Sequence, residues 1–72
     1  MPLNMLEYGR NAVIKRFCGR DNTARFLEGL GLTPGTEVSV VCENGGDLIL
    51  QVKNSRVALG RGLASRVIVE AC

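Results

Sequence analysis

Arg25-Phe26-Leu27-Glu28-Gly29-Leu30-Gly31-Leu32-Thr33-Pro34-Gly35 carries the plan of the fold. Phe26, Leu27 and Leu30 fall within a narrow arc of a helix. Gly31 suits the left-handed position just past a last turn. Pro34 and Gly35 suit the corners of a type II turn, whose second corner needs a positive φ. The stretch therefore reads as one short helix, a glycine stop and a turn that launches a strand. Most of the chain beyond Gly35 has strand character, so the expectation is a mainly β domain with one helix set in after the first strand.

Working outward, Asn11 to Phe17 reads as the first strand, with Ala12, Val13 and Ile14 in it. Before it, Pro2 to Tyr8 reads as a short turn or helical piece anchored by Leu3 and Leu6 and ended by Gly9. Asp21, Asn22 or Thr23 caps the helix. That helix has only about two turns and needs packing to persist. Downstream, Glu37–Glu43 and Asp47–Lys53 form a hairpin. A three-residue loop, Asn44-Gly45-Gly46, sets Val38 against Val52, Val40 against Leu50 and Cys42 against Leu48 on the inner face. On the outer face it sets Glu43 against Asp47, Val41 against Ile49 and Ser39 against Gln51, with Glu37 meeting Lys53 as an opposite-charge pair. A two-residue loop would slip the register by one and oppose apolar to polar residues. Asn54-Ser55 reads as a turn and Arg56–Leu59 as a strand with Val57 and Leu59 inward. Gly60-Arg61-Gly62 is a break, Leu63–Arg66 a helical turn, and Val67–Ala71 a last strand with Val67 and Val69 inward. About five short strands in so small a chain close into a barrel, which hides their edges.

The totals narrow the function classes. Seventy-two residues make one domain, residues 1–72. Nine Lys and Arg against seven Asp and Glu give +2, too even to imply nucleic acid or an anionic membrane. Tyr8, Phe17 and Phe26 are the aromatics, too few for a base-stacking platform. A transmembrane helix needs about 20 apolar residues, far beyond the three-residue runs here, and the N-terminus has no signal-peptide pattern. The expected location is the cytoplasm. Cys18, Cys42 and Cys72 are odd in number and widely spaced, which is not a disulfide framework.

Catalysis is not expected. Histidine is absent, no phosphate-cradling glycine loop occurs, and Ser39, Ser55 and Ser65 have no visible base. Weak metal candidates are Glu43 and Asp47, facing across the hairpin mouth, with Cys42 beside them. Like charges so placed need water or a cation between them. Cys42, on the inner face, otherwise serves as a small apolar residue. The partner-binding candidates are Leu27, at the edge of the helix's apolar arc, with Val41, Ile49 and Ile68, whose side chains point away from the core. Val13 also points outward. The arginines Arg10, Arg16, Arg20, Arg25, Arg56, Arg61 and Arg66 are spread along the chain as a solvated surface.

The order of signals resembles a known family. Leu6-x-x-Gly9 precedes a strand with Ala12 and Ile14. Arg25-x-Leu27-x-x-Leu30-Gly31-Leu32-x-Pro34-Gly35 comes next, then Val38 and Val40, Ala58-Leu59, Ala64, and Val67-x-Val69. This resembles the FeoA family, small cytosolic proteins of bacterial ferrous iron uptake, over nearly the whole chain. The resemblance implies an SH3-like barrel and work beside the ferrous iron permease FeoB, whose cytosolic part is a GTPase. It implies no required cofactor, with Fe(II) or another divalent transition metal as a candidate ligand. It further implies a location peripheral to the inner membrane through that partner, without membrane insertion, as a monomer or weak homo-oligomer. The same fold occurs as the C-terminal domain of iron-dependent repressors, so a regulatory module is the alternative reading, and a basic nucleic-acid-binding barrel a further one. One departure stands out: the family's basic-acidic run after the Leu59 strand is replaced by Gly60-Arg61-Gly62, which lacks the acid.

Overall fold

The computed structural model describes residues 1–19 and 22–72. A 3-10 turn at Leu3–Met5 opens the chain. Beyond it come β1 (Asn11–Phe17), α1 (Thr23–Gly29), β2 (Glu37–Asn44), β3 (Asp47–Val52), β4 (Ser55–Gly60), α2 (Arg61–Ala64) and β5 (Val67–Ala71). The five strands form one antiparallel sheet in the order β4-β3-β2-β1-β5. Its inner face holds Ala12, Ile14, Val38, Val40, Leu48, Leu50, Val52, Leu59, Val67 and Val69, all buried. Leu3, Leu6, Leu27, Leu32 and Ala64 complete the core from outside the sheet.

The helix stop is built as its residues suggest. Gly31 has φ +90°, and its N–H donates to Glu28 O at 3.0 Å, while Leu32 N–H donates to Leu27 O at 3.0 Å. Those two bonds are a Schellman motif, and the apolar contact that goes with it joins Leu27 to Leu32, both fully buried. The turn comes at once, with Thr36 N–H donating to Thr33 O at 3.0 Å and Gly35 at φ +92°. Gly35 N–H then donates to Ile14 O, and Ile14 N–H to Thr36 O, which ties the turn to β1 before β2 begins. The cap is simpler than expected. Asn22 stands at the N-cap without a side-chain bond, and Thr23 Oγ1 accepts instead from Arg66 Nη1 at 3.0 Å. The Asp21 alternative lies outside the described residues.

Two bulges set which side chains face inward. In β1 the pairing with β5 steps from Ile14↔Val69 to Arg16↔Ile68, so Lys15 is the extra residue. That step turns Phe17, rather than Arg16, against the core. In β2 the pairing with β3 runs Val38↔Val52, Ser39↔Gln51, Val40↔Leu50 as expected, then steps to Cys42↔Ile49, Glu43↔Leu48 and Asn44↔Asp47. The tip is thus a two-residue Gly45-Gly46 turn with φ +62° and +92°, the signs a type I′ turn requires. The expected three-residue loop is replaced because the bulge at Val41 absorbs the extra residue. Uninterrupted alternation cannot reveal such a step.

Smaller shifts have the same origin. The β3–β4 turn is Lys53-Asn54 rather than Asn54-Ser55, with Lys53 at φ +56°. That bends Lys53 out of the strand, and among the described residues it makes no ion pair with Glu37. The helical turn after β4 starts at Arg61, two residues early, because Gly60 is extended and serves as its N-cap. The barrel does not close through hydrogen bonds, since β4 and β5 end the ladder unpaired to one another. The edge of β5 is covered instead by the N-terminus: Val69 N–H donates to Met1 O at 2.7 Å, the Met1 ammonium donates back at 2.9 Å, and Pro2 bridges to Ile68.

Candidate interaction surface

The partner-binding residues read from the sequence do not form one patch. Leu27 is 0% exposed, so it belongs to the core and is withdrawn as a contact residue. The reason lies in the helix stripe. Thr23, Leu27 and Leu30, spaced four and three apart, face the barrel. Phe26, one position off that stripe, is 54% exposed. The inward arc expected for Phe26 therefore belongs to its neighbour. Val41 and Ile49 remain half-buried on the outer face of the hairpin, but the bulge sets Cys42, not Val41, opposite Ile49. Ile68 and Val13 are half-buried on the far side of the sheet, where Ile68 touches the Pro2 bridge and Val13 lies between Glu37 and Glu70.

The metal candidates separate as well. Asp47 pairs with Asn44 and Glu43 with Leu48, so the two carboxylates do not face across the hairpin. Cys42 is exposed rather than inward, as are Cys18 and Cys72, and all three are free. Among the described residues, no group of three or more His, Cys, Asp and Glu side chains is placed to hold a metal ion. Glu43 is engaged elsewhere. Arg61 grips its carboxylate with both ends of the guanidinium, Nη2 to Oε1 at 2.6 Å and Nε to Oε2 at 3.2 Å, and Tyr8 Oη donates to Oε1 at 3.4 Å. The Arg61 hydrogen bond, opposed by slight desolvation and aided by Coulombic attraction, holds the Glu43 carboxyl below the usual carboxylate range.

The surface that sequence reading missed is a shallow depression lined by Asn22, Thr23, Phe26, Leu63 and Arg66. The exposed ring of Phe26 forms one wall and the half-buried Leu63 the other, with the Arg66 guanidinium held beside them by Thr23. Its apolar walls, with the Arg66 guanidinium at one end, suit contact with another protein better than chemistry. The available signal was the spacing of Thr23, Leu27 and Leu30, which leaves Phe26 outside. Met5 and Tyr8 add exposed apolar area near the N-terminus, where Tyr8 already reaches Glu43.

The family model for the FeoA domain matches residues 1–71. The chain belongs to the FeoA family. A Methanocaldococcus jannaschii protein with the provisional name Fe(2+) transport protein A is 29% identical over 69 residues, covering 96% of this chain and 84% of that protein. The crystal structure of an iron uptake regulatory protein, FeoA, superposes with a TM-score of 0.90 at 35% identity, covering 100% of this chain and 96% of that one. The FeoA of Stenotrophomonas maltophilia, described as an SH3 domain protein and crystallised with zinc, gives 0.78 at 34% identity, covering 97% and 89%. A manganese-dependent transcriptional repressor gives 0.91 at 17% identity over 36% of its length, a likeness of fold alone. The SH3-like architecture of this FeoA-family chain is therefore shared with metal-dependent regulators. Their similarity says nothing of what it binds.

Proposed function

We propose that this FeoA-family chain is a non-catalytic accessory protein of ferrous iron uptake. It docks on the cytosolic GTPase part of the permease FeoB, from the cytoplasmic side, and modulates transport. The observation that carries this reading is the family match across the whole fold. The surface supports it: the described core cluster does not use Phe26, and the Phe26–Leu63 depression offers exposed apolar contact. Docking through so small a patch suits a transient partner, with an interface below about 1,200 Å². Fe(II) is the cargo of the permease, and the reading needs no ion held by this chain.

A pull-down of the purified FeoB GTPase part tests it. The wild-type chain is expected to be retained, and Phe26→Asp to lose retention while keeping its circular dichroism, since Phe26 is half exposed. No retention of the wild type defeats the docking reading. Normal retention of Phe26→Asp moves the contact to the Val41–Ile49 face.

A further inference from the structure

The two ends of the sheet are treated differently. The β5 edge is occupied by Met1 and Pro2, and its ladder with β1 is broken by a bulge. The β4 edge has few of the devices that discourage strand pairing: Ser55–Gly60 contains no proline and no bulge, and Arg56 is its single charge. Its register with β3 is unbroken over six pairs.

The backbone direction along β4 is set by its turn. Val52 and Ser55 flank the two-residue turn Lys53-Asn54, which makes them a hydrogen-bonded pair, and pair types alternate along an antiparallel ladder. Ser55, Val57 and Leu59 therefore bond to β3. The N–H and C=O groups of Arg56 and Ala58, and the N–H of Gly60, point away from the sheet. Arg56 and Ala58 are exposed, and among the described residues no backbone group from another element bonds to them.

We infer that β4 pairs antiparallel with the β4 of a second copy of this chain, about a two-fold axis at Ala58. The pattern of the strand is self-complementary in that register. Ala58, the smallest side chain of the strand after Gly60, meets itself on the axis. Val57 falls opposite Leu59 of the second copy, and both side chains are already turned into their own cores, so neither obstructs the backbone pairing. Arg56 falls opposite Gly60, so the two guanidinium groups do not oppose one another, and the Gly60 N–H meets the Arg56 carbonyl. A two-fold makes every contact twice, as a closed dimer requires. The pairing covers little area, so the dimer is weak and concentration-dependent. This inference is independent of the permease reading.

Sedimentation velocity from micromolar to millimolar concentration, with amide hydrogen exchange on the same samples, tests it. The wild-type mass is expected to rise from 7.7 kDa toward twice that value. The Ala58 and Gly60 amides are expected to slow with concentration, while the Val57 amide, already bonded to β3, does not change. Ala58→Pro removes an outward N–H that β3 does not use, and Ala58→Lys places two ammonium groups on the axis; both are expected to stay monomeric. Should Ala58→Pro fail to fold, Ala58→Lys at its exposed position decides. A wild type that remains monomeric at millimolar concentration overturns the inference, as does Ala58→Lys dimerising like the wild type.

Discussion

The segment from Thr23 to Thr36 and the hairpin end from Val41 to Asp47 are both short, glycine-rich and close to the surface, yet they are stabilised in different ways. In the first, the helix stop closes on its own neighbours, and the segment's ends are then tied to Ile14 and Arg66. Gly31 takes the left-handed position, Leu32 closes the Schellman bond onto Leu27, and the Thr33–Thr36 turn hangs on Ile14. In the second, the backbone departs from uniform alternation by one residue. Beyond that step the strand is met from far along the chain, where Arg61 at the start of α2 bonds to Glu43. The helix stop is specified by residues whose backbone demands are explicit, whereas the hairpin tip takes its register from a bulge and a two-glycine turn together.

The largest effect that bears on this difference comes from Leu27. Leu27→Ala removes a fully buried side chain from both the core and the helix stop, and is expected to cost about 2–5 kcal/mol. That is a large share of the roughly 4–11 kcal/mol available to a domain this small. Phe26→Ala, one residue away and half exposed, is expected to cost less than about 1 kcal/mol. Urea denaturation of the two variants reads the contrast. Equal losses would mean that the helix stripe is not the one described.

Gly31→Ala comes next. No side chain or backbone atom lies within 4 Å of the position a Cβ would take, so the cost is conformational alone. Holding alanine at φ +90° is expected to cost about 1–2 kcal/mol. Gly45→Asn at the hairpin tip, where φ is +62°, is expected to be nearly neutral, because asparagine tolerates the left-handed region and suits the first corner of this turn. Thermal melts of both variants check it. A Gly45→Asn loss as large as that of Gly31→Ala would show the tip to be as tightly specified as the helix stop.

The same contrast governs what could be read in advance. β1 was legible to the residue, because β-branched and apolar residues ran together between two glycine-bearing turns. The inner faces of β2 and β3 were legible at their bases, where Val38, Val40, Leu50 and Val52 alternate with polar residues. Beyond Val40 the sequence offers Val41-Cys42, two residues able to face either way, and alternation stops carrying information. The paired carboxylates at the hairpin mouth failed for that reason alone. Leu27 and Phe26 were exchanged because two adjacent apolar residues on a two-turn helix fit either a core or a contact. Only the spacing from buried Thr23, a polar residue that apolar patterning overlooks, separates them. The FeoA-like punctuation itself was visible throughout, since it consists of glycines and prolines whose backbone demands are explicit.

The smallest effect is also the most specific test of the hairpin end. Because Arg61 holds the Glu43 carboxyl below its ordinary value of 4.5, the folded state favours the carboxylate. The stabilising contribution is then fully present above the ordinary carboxylate range and is lost as pH falls through the lower, folded value. Both side chains are exposed and screened by solvent, so the effect on stability is slight and increases at low salt. NMR titration of the glutamates resolves it more directly. Glu43 is expected to titrate below the ordinary carboxylate range, and Arg61→Ala to return it there. The bulge is involved too. Glu43 sits across from Leu48 rather than Asp47 only because Val41 occupies the extra place in β2. An ordinary titration for Glu43 in the wild type would mean that the clasp does not hold in solution.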